Sequence, residues 1–154
     1  MTVPVLWGTL RNVTTYRGGV SITVDLPADL IEKLQPILRD VGTAGLDIRL
    51  GRAGWDTYSA ESFVMYFVNG SGRGIQWGAG TTPDDLVMAM DTIQDEVVEA
   101  RWAVGLGVSW PVCAGHEHPL RPRLVEGRAV WQCPETNQVV APIGGLGSAS
   151  ERTG

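Results

Sequence analysis

The stretch Trp110-Pro-Val-Cys113-Ala-Gly-His116-Glu-His118-Pro119, followed by Trp131-Gln-Cys133-Pro134, holds every cysteine and histidine of the 154-residue chain. Cys113 and His116 stand at C-x-x-H spacing, at which a tight turn lets a thiolate and an imidazole converge on one ion. Ala114-Gly115 gives that turn room. Sixteen residues separate His116 from Cys133, enough for a short hairpin. Leu124-Val125 and Arg128 to Trp131 read as its strands and Glu126-Gly127 as its turn, with Asn137 to Ile143 as a candidate third strand. In an extended segment His116 and His118 face the same side, which makes His118 the candidate fourth ligand. The expectation is a structural zinc ion on Cys113, His116, His118 and Cys133. Its ligand atoms should lie within about 4 Å of one another, as bonds of about 2.0–2.3 Å require. Other readings stay open. Water can fill the fourth position, giving a catalytic metal with Glu117 as the only local carboxylate base. The thiols can be free and buried, or joined as a Cys113–Cys133 disulfide.

Upstream, Val20, Ile22, Val24 and Leu26 alternate with polar residues at the period of a half-buried strand. The strand before it covers roughly residues 3–16, with a bulge near Gly8, and Arg17-Gly18-Gly19 supplies the turn. Leu30, Ile31, Leu34, Leu38 and Val41 recur at helical spacing after Pro27, and Gly42 suits the end of the helix. Pro36 interrupts this pattern and predicts a kink or two short helices. Leu46, Ile48 and Leu50 alternate as a third strand. Residues 51–61 read as a loop or sub-boundary. Phe63 to Val68 reads as a buried strand, returning through the glycine-rich stretch 69–74 to Ile75-Gln76-Trp77. That stretch lacks the Lys-Ser/Thr pair of a phosphate loop, so it reads as a hairpin turn. The clearest helix runs from Pro83 to about Trp102, capped by Thr82, with Leu86, Met90, Ile93 and Val97 as its core stripe, widened by Val87, Val98 and Trp102.

The fold class expected is therefore α+β. An N-terminal antiparallel sheet with two helices (residues 1–104) precedes a small zinc-ribbon-like β-hairpin lobe (105–146) and a flexible tail (147–154, polar and Gly/Ser-rich from 144 onward).

Charge is unevenly spread. Residues 1–55 carry +1, residues 56–102 carry −6 and residues 103–154 carry zero, which together give the net charge of −5. Such a balance argues against nucleic-acid binding by the whole surface. It leaves the neutral C-terminal lobe undecided, where Arg121, Arg123 and Arg128 near Trp131 form a candidate surface for stacking on bases. No stretch resembles a signal peptide, and no run approaches the ~18–20 apolar residues of a membrane span. The expectation is a chain of the cytoplasm, or one associated with a phage, with no membrane partner.

The two turns resemble those of a zinc ribbon, each expected to give two ligands. The second turn, Cys133-Pro-Glu-Thr-Asn137, departs from that pattern by carrying one. His116-Glu-His118-Pro119 also matches the core of the JAMM metalloproteases. The serine and aspartate that family needs are replaced here by Gly127 or Arg128 and by Val130 or Trp131. A broader resemblance, over about residues 91–146, is to small actinobacterial and actinophage proteins. It rests on Gln94-Asp-Glu-Val97, on Trp110 to Pro119, on Trp131 to Pro134 and on Ala141-Pro-Ile-Gly-Gly-Leu146. This resemblance implies a metal-knuckle protein and no particular activity. The function expected is a non-catalytic, zinc-stabilised interaction or accessory protein with a protein partner. The alternatives are a structural or accessory protein of a phage particle and a nucleic-acid-associated regulator acting through the C-terminal lobe.

Overall fold

The computed structural model describes residues 11–15, 21–26, 28–51, 62–67, 72–76 and 82–147. Strands β1 (Arg11–Thr15) and β2 (Ser21–Asp25) pair antiparallel from Arg11↔Asp25 to Thr15↔Ser21, as the alternation predicts. The turn joining them and the bulge expected near Gly8 lie outside the described residues. Helices α1 (Ala28–Lys33) and α2 (Gln35–Val41) follow. Pro36 occupies the first turn of α2, where its missing N–H has no helical partner to lose, so the break falls at Leu34.

Strand β3 (Ile48–Gly51) then pairs with β2 in parallel, Ile22 opposite Ile48 and Val24 opposite Leu50. Here the expected antiparallel sheet is corrected to a mixed one. The helices carry the chain from the end of β2 back towards the level of its start. A crossover of a dozen or more residues is what a parallel pair needs. Strands β4 (Ser62–Phe67) and β5 (Gly72–Gln76) complete the sheet as an antiparallel hairpin, in the order β1-β2-β3-β4-β5. Ile22, Val24, Leu50, Met65 and Ile75 are buried within it.

Helix α3 (Pro83–Ala103) opens as its sequence dictates: the Thr82 hydroxyl accepts the Asp85 N–H at 3.1 Å. Asp84 and Asp85 lie in the first turn, where the helix dipole favours negative charge. Ala89, Met90, Ile93, Val97 and Ala100 are buried, while Leu86, Val87 and Val98 pack partly against the core. Trp102, expected to widen that stripe, is instead 71% exposed. The helix packs against β5 of the large sheet and against β6 (Arg121–Val125) and β7 (Arg128–Gln132) of a second, three-stranded antiparallel sheet completed by β8 (Val139–Pro142). The β6–β7 turn is Glu126-Gly127 as read from the sequence. Both residues take positive φ, 50° and 77°, the conformation that a two-residue hairpin turn of matching twist demands.

The second sheet shares its core with the body. Trp110, Leu120, Trp131, Ile143 and Leu146 belong to the same buried cluster as Ile37, Met90 and Ile93. Two buried polar side chains hold it there. Gln94 on α3 donates from Nε2 to the Trp110 carbonyl at 3.2 Å and the Leu120 carbonyl at 2.6 Å, and its Oε1 accepts Arg121 at 3.4 Å. Asp40 on α2 accepts the Trp131 indole N–H at 2.7 Å, the Gly144 N–H at 2.6 Å and the Leu146 N–H at 3.1 Å. Residues 144–146, the Gly-rich end of the expected lobe, are therefore fastened to α2. Residues from 148 onward lie outside the described set. Gly144 is required where it stands. Its φ is +100°, and a Cβ there would meet Pro36 of α2 at 3.0 Å.

Replacing Gln94 by leucine should leave two buried carbonyls without their side-chain donor. An unsatisfied buried polar group costs about 1–3 kcal/mol, so the urea midpoint should fall by a matching amount. An unchanged midpoint would show that the strut is energetically idle.

Candidate metal centre

The segment between α3 and β6 forms a closed loop. Val112 and Pro119 bridge antiparallel, and the Leu120 N–H donates to the Pro111 carbonyl at 2.9 Å. Within the loop the His116 N–H donates to the Cys113 carbonyl at 3.0 Å, and Gly115 takes φ +80°. This is the tight turn that the C-x-x-H spacing needs. Cys133 follows β7 and opens a second turn. Its carbonyl accepts the Asn137 N–H at 2.9 Å, and its Sγ accepts the Thr136 N–H at 3.4 Å. The β6–β7 hairpin brings the two turns together.

Cys113, His116, His118 and Cys133 each offer a ligand atom, and these atoms all lie within 4.8 Å of one another. That is looser than the ~4 Å limit set by closed tetrahedral bonding. Two nitrogen–sulfur pairs are already about as close as shared zinc bonds would hold them. His116 Nδ1 lies 3.2 Å from Cys113 Sγ and 3.5 Å from Cys133 Sγ. A tetrahedral zinc with bonds of ~2.3 Å to sulfur and ~2.0–2.1 Å to nitrogen places such pairs about 3.5 Å apart. One imidazole nitrogen has a single proton or a single lone pair. It cannot fully satisfy two thiols, whereas a cation among the three satisfies all of them. Both cysteines are free and buried.

The electrostatics favour a thiolate at the second turn. The Thr136 hydroxyl, with the Thr136 and Glu135 N–H groups, stabilises the Cys133 anion against the opposing effect of burial and pulls its pKa down to about 6. Burial and the neighbouring Cys133 push Cys113 up. His118 feels burial pulling its pKa down, but the Pro119 carbonyl and the Glu135 carboxylate prevail and raise it.

Glu135 is the residue that sequence reasoning passed over. Its Oε2 lies 3.2 Å from His118 Nε2 and 3.5 Å from His116 Nε2. The two rings stack, with centroids 4.7 Å apart and planes at 30°. The only available signal was its place two residues after Cys133, in a turn that had to fold back on the histidines. Glu117, the local carboxylate singled out from sequence, is exposed, and its backbone carbonyl accepts the Ser109 hydroxyl.

Of the candidate binding surface, Arg123 and Arg128 are exposed and Arg121 is half-buried. Trp131 requires a correction. It is fully buried, edge-on to Trp110 with its N–H given to Asp40, so it presents no face for stacking. The pattern of alternation shows that successive residues of β7 face opposite ways, but not which face meets the core. Among the described residues, no helix is long and apolar enough to cross a membrane. Comparison of the chain with protein-family models, with curated proteins and with solved structures gives no match.

Proposed function

We propose that the chain is a non-catalytic interaction protein whose C-terminal sheet is tied to its knuckle loop by one structural zinc ion on Cys113, His116, His118 and Cys133. The observation that carries this reading is the convergence of those four ligand atoms within 4.8 Å. Two thiolates and two neutral imidazoles would leave a divalent cation with no net charge, which suits a half-buried site. Mixed sulfur and nitrogen donors in a tetrahedral set favour zinc among common divalent ions, and four protein ligands leave no open position for substrate. An interaction role is supported by Trp102, Val104, Val108 and Val112, which expose half or more of their surface between α3 and the knuckle. Mass spectrometry of the purified chain under native and then denaturing conditions should differ by one zinc ion. Equal masses would remove the reading.

One observation favours a second reading. In the register Arg121↔Gln132, Arg123↔Val130 and Val125↔Arg128, the three arginines fall on one face of the small sheet. With Trp131 buried, that face would contact phosphates and not stack on bases. Arg121 is half-buried and held by Gln94, so Arg123 and Arg128 are left for phosphates, and binding to duplex DNA at low salt should fall with a log–log salt slope of about −2, for two neutralised phosphates. The doubly substituted Arg123→Glu, Arg128→Glu chain should lose it. No binding at low salt would end this reading.

A further inference from the structure

We propose that Glu135 is a carboxylate clamp that positions both imidazoles, so that His116 and His118 bind the metal through Nδ1. This rests on the zinc reading above and assigns what that reading leaves open, which ring nitrogens coordinate and what orients them.

Glu135 Oε2 faces the Nε2 of both rings, at 3.2 Å and 3.5 Å. A carboxylate only accepts, so each Nε2 facing it carries its proton, and the lone pair of a neutral ring is then on Nδ1. For His116 the consequence is already visible, because its Nδ1 is the atom that sits between the two sulfurs. His118 faces acceptors at both nitrogens, with Nδ1 3.2 Å from the Pro119 carbonyl and Nε2 against Glu135. A metal needs one lone pair from this ring, so one contact must yield. The bond to an ionised carboxylate is the stronger of the two, and the neutral carbonyl gives way.

The clamp also accounts for the departure from ribbon spacing at the second turn. The position three after Cys133, where a ribbon would place its second ligand, is Thr136. That turn supplies outer support instead: the Thr136 N–H reaches the Cys133 sulfur, and Glu135 reaches the two imidazoles. Metal-bound histidines ordinarily give their other N–H to such a partner, and removing it typically costs 10–100-fold in metal affinity.

The test uses the zinc-loaded full chain, labelled with 15N. Two-bond and three-bond 1H–15N correlations should show Nδ1 coordinated and Nε2 protonated in both histidines. Glu135→Ala should weaken zinc binding 10–100-fold in competition with a chromophoric chelator. Glu135→Asp should recover part of that loss. The Glu135 side chain is 63% exposed, so its truncation leaves the core intact, and circular dichroism of the loaded variant checks this. Coordination of either ring through Nε2, or wild-type affinity in Glu135→Ala, overturns the clamp while the metal reading stands. A wild-type chain that takes up no zinc overturns both.

Discussion

Stripping the proposed zinc ion with a strong chelator should unfold the C-terminal sheet and its knuckle loop, with loss of near-ultraviolet signal from Trp110 and Trp131. The two tryptophans touch edge-on at 5.9 Å between centroids and sit in the common core, so they report on the region directly. The size of the effect follows from what else holds the knuckle. Residues 113–119 contribute Cys113 to the buried set, while Ala114, Gly115 and Glu117 are exposed. Such a loop gains little from burial, and beyond the Val112–Pro119 bridge and the hydrogen bonds at its base the proposed ligands would supply much of its order. Structural zinc contributes about 10–16 kcal/mol of apparent binding energy in small metal-dependent domains at neutral pH. That exceeds the whole stability of many domains, about 5–15 kcal/mol. The β1–β5 sheet and helix α3 should retain their far-ultraviolet signal at least in part, because none of the four candidate ligands lies in α3 or in the strands β1 to β5. Cys133→Ser should reproduce the chelated state, since it removes the thiolate most readily formed.

The second large effect should come from Asp40→Ala, measured by urea unfolding with zinc present. Asp40 is wholly buried and accepts three N–H groups from the C-terminal sheet and the segment that follows it. Truncation orphans the Trp131 indole and the Gly144 and Leu146 amides at once. Each buried donor left unsatisfied costs about 1–3 kcal/mol, so the three together should cost roughly 3 kcal/mol or more. A cost below about 1 kcal/mol would mean that water or rearrangement replaces the carboxylate.

The same residue predicts a pH dependence of unusual sign for an aspartate. Burial outweighs the Trp131, Gly144 and Leu146 donors and the nearby Arg39, and raises its pKa from 3.8 to about 6. The folded state therefore holds the proton more tightly than the unfolded chain. The contribution is fully present below the unfolded pKa and is lost as pH rises through the folded value. Asp40→Asn, which has no proton to lose, lacks this dependence. The stability of wild type relative to Asp40→Asn should fall by roughly 2–3 kcal/mol between pH 4 and pH 7. Taking the difference cancels the titration of groups common to both, the proposed metal ligands included. Wild-type stability that rises relative to Asp40→Asn between pH 4 and pH 7 would contradict the assignment.

These effects also show where sequence reading reached and where it stopped. Val20 to Leu26 and the Thr82-Pro83 start disclose a strand and a helix, because period and capping are local properties. Glu126-Gly127 discloses a turn for the same reason. The parallel pairing of β2 with β3 was available in principle: two short helices between two strands are the mark of a parallel crossover. Alternation alone reports a strand and its faces but not its neighbour. Asp40 could not be read as buried, since a carboxylate between Arg39 and Val41 on a short helix looks like any solvated position. Its role depends on indole and amide groups about a hundred residues away. The candidate metal cluster was legible because its four residues lie within one short stretch and carry chemistry that few other residues share. Glu135 was not, since a carboxylate in a turn is common and only the fold brings it to the imidazoles.

The central claim is that one zinc ion joins the knuckle loop to the turn after β7 through two sulfurs and two nitrogens. Zinc K-edge X-ray absorption of the purified chain tests it most directly. The expected result is one zinc per chain, with two sulfur neighbours at about 2.3 Å and two imidazole nitrogens at about 2.0–2.1 Å. A chain that carries no metal and stays folded through chelation would contradict it, as would a zinc surrounded only by oxygen and nitrogen.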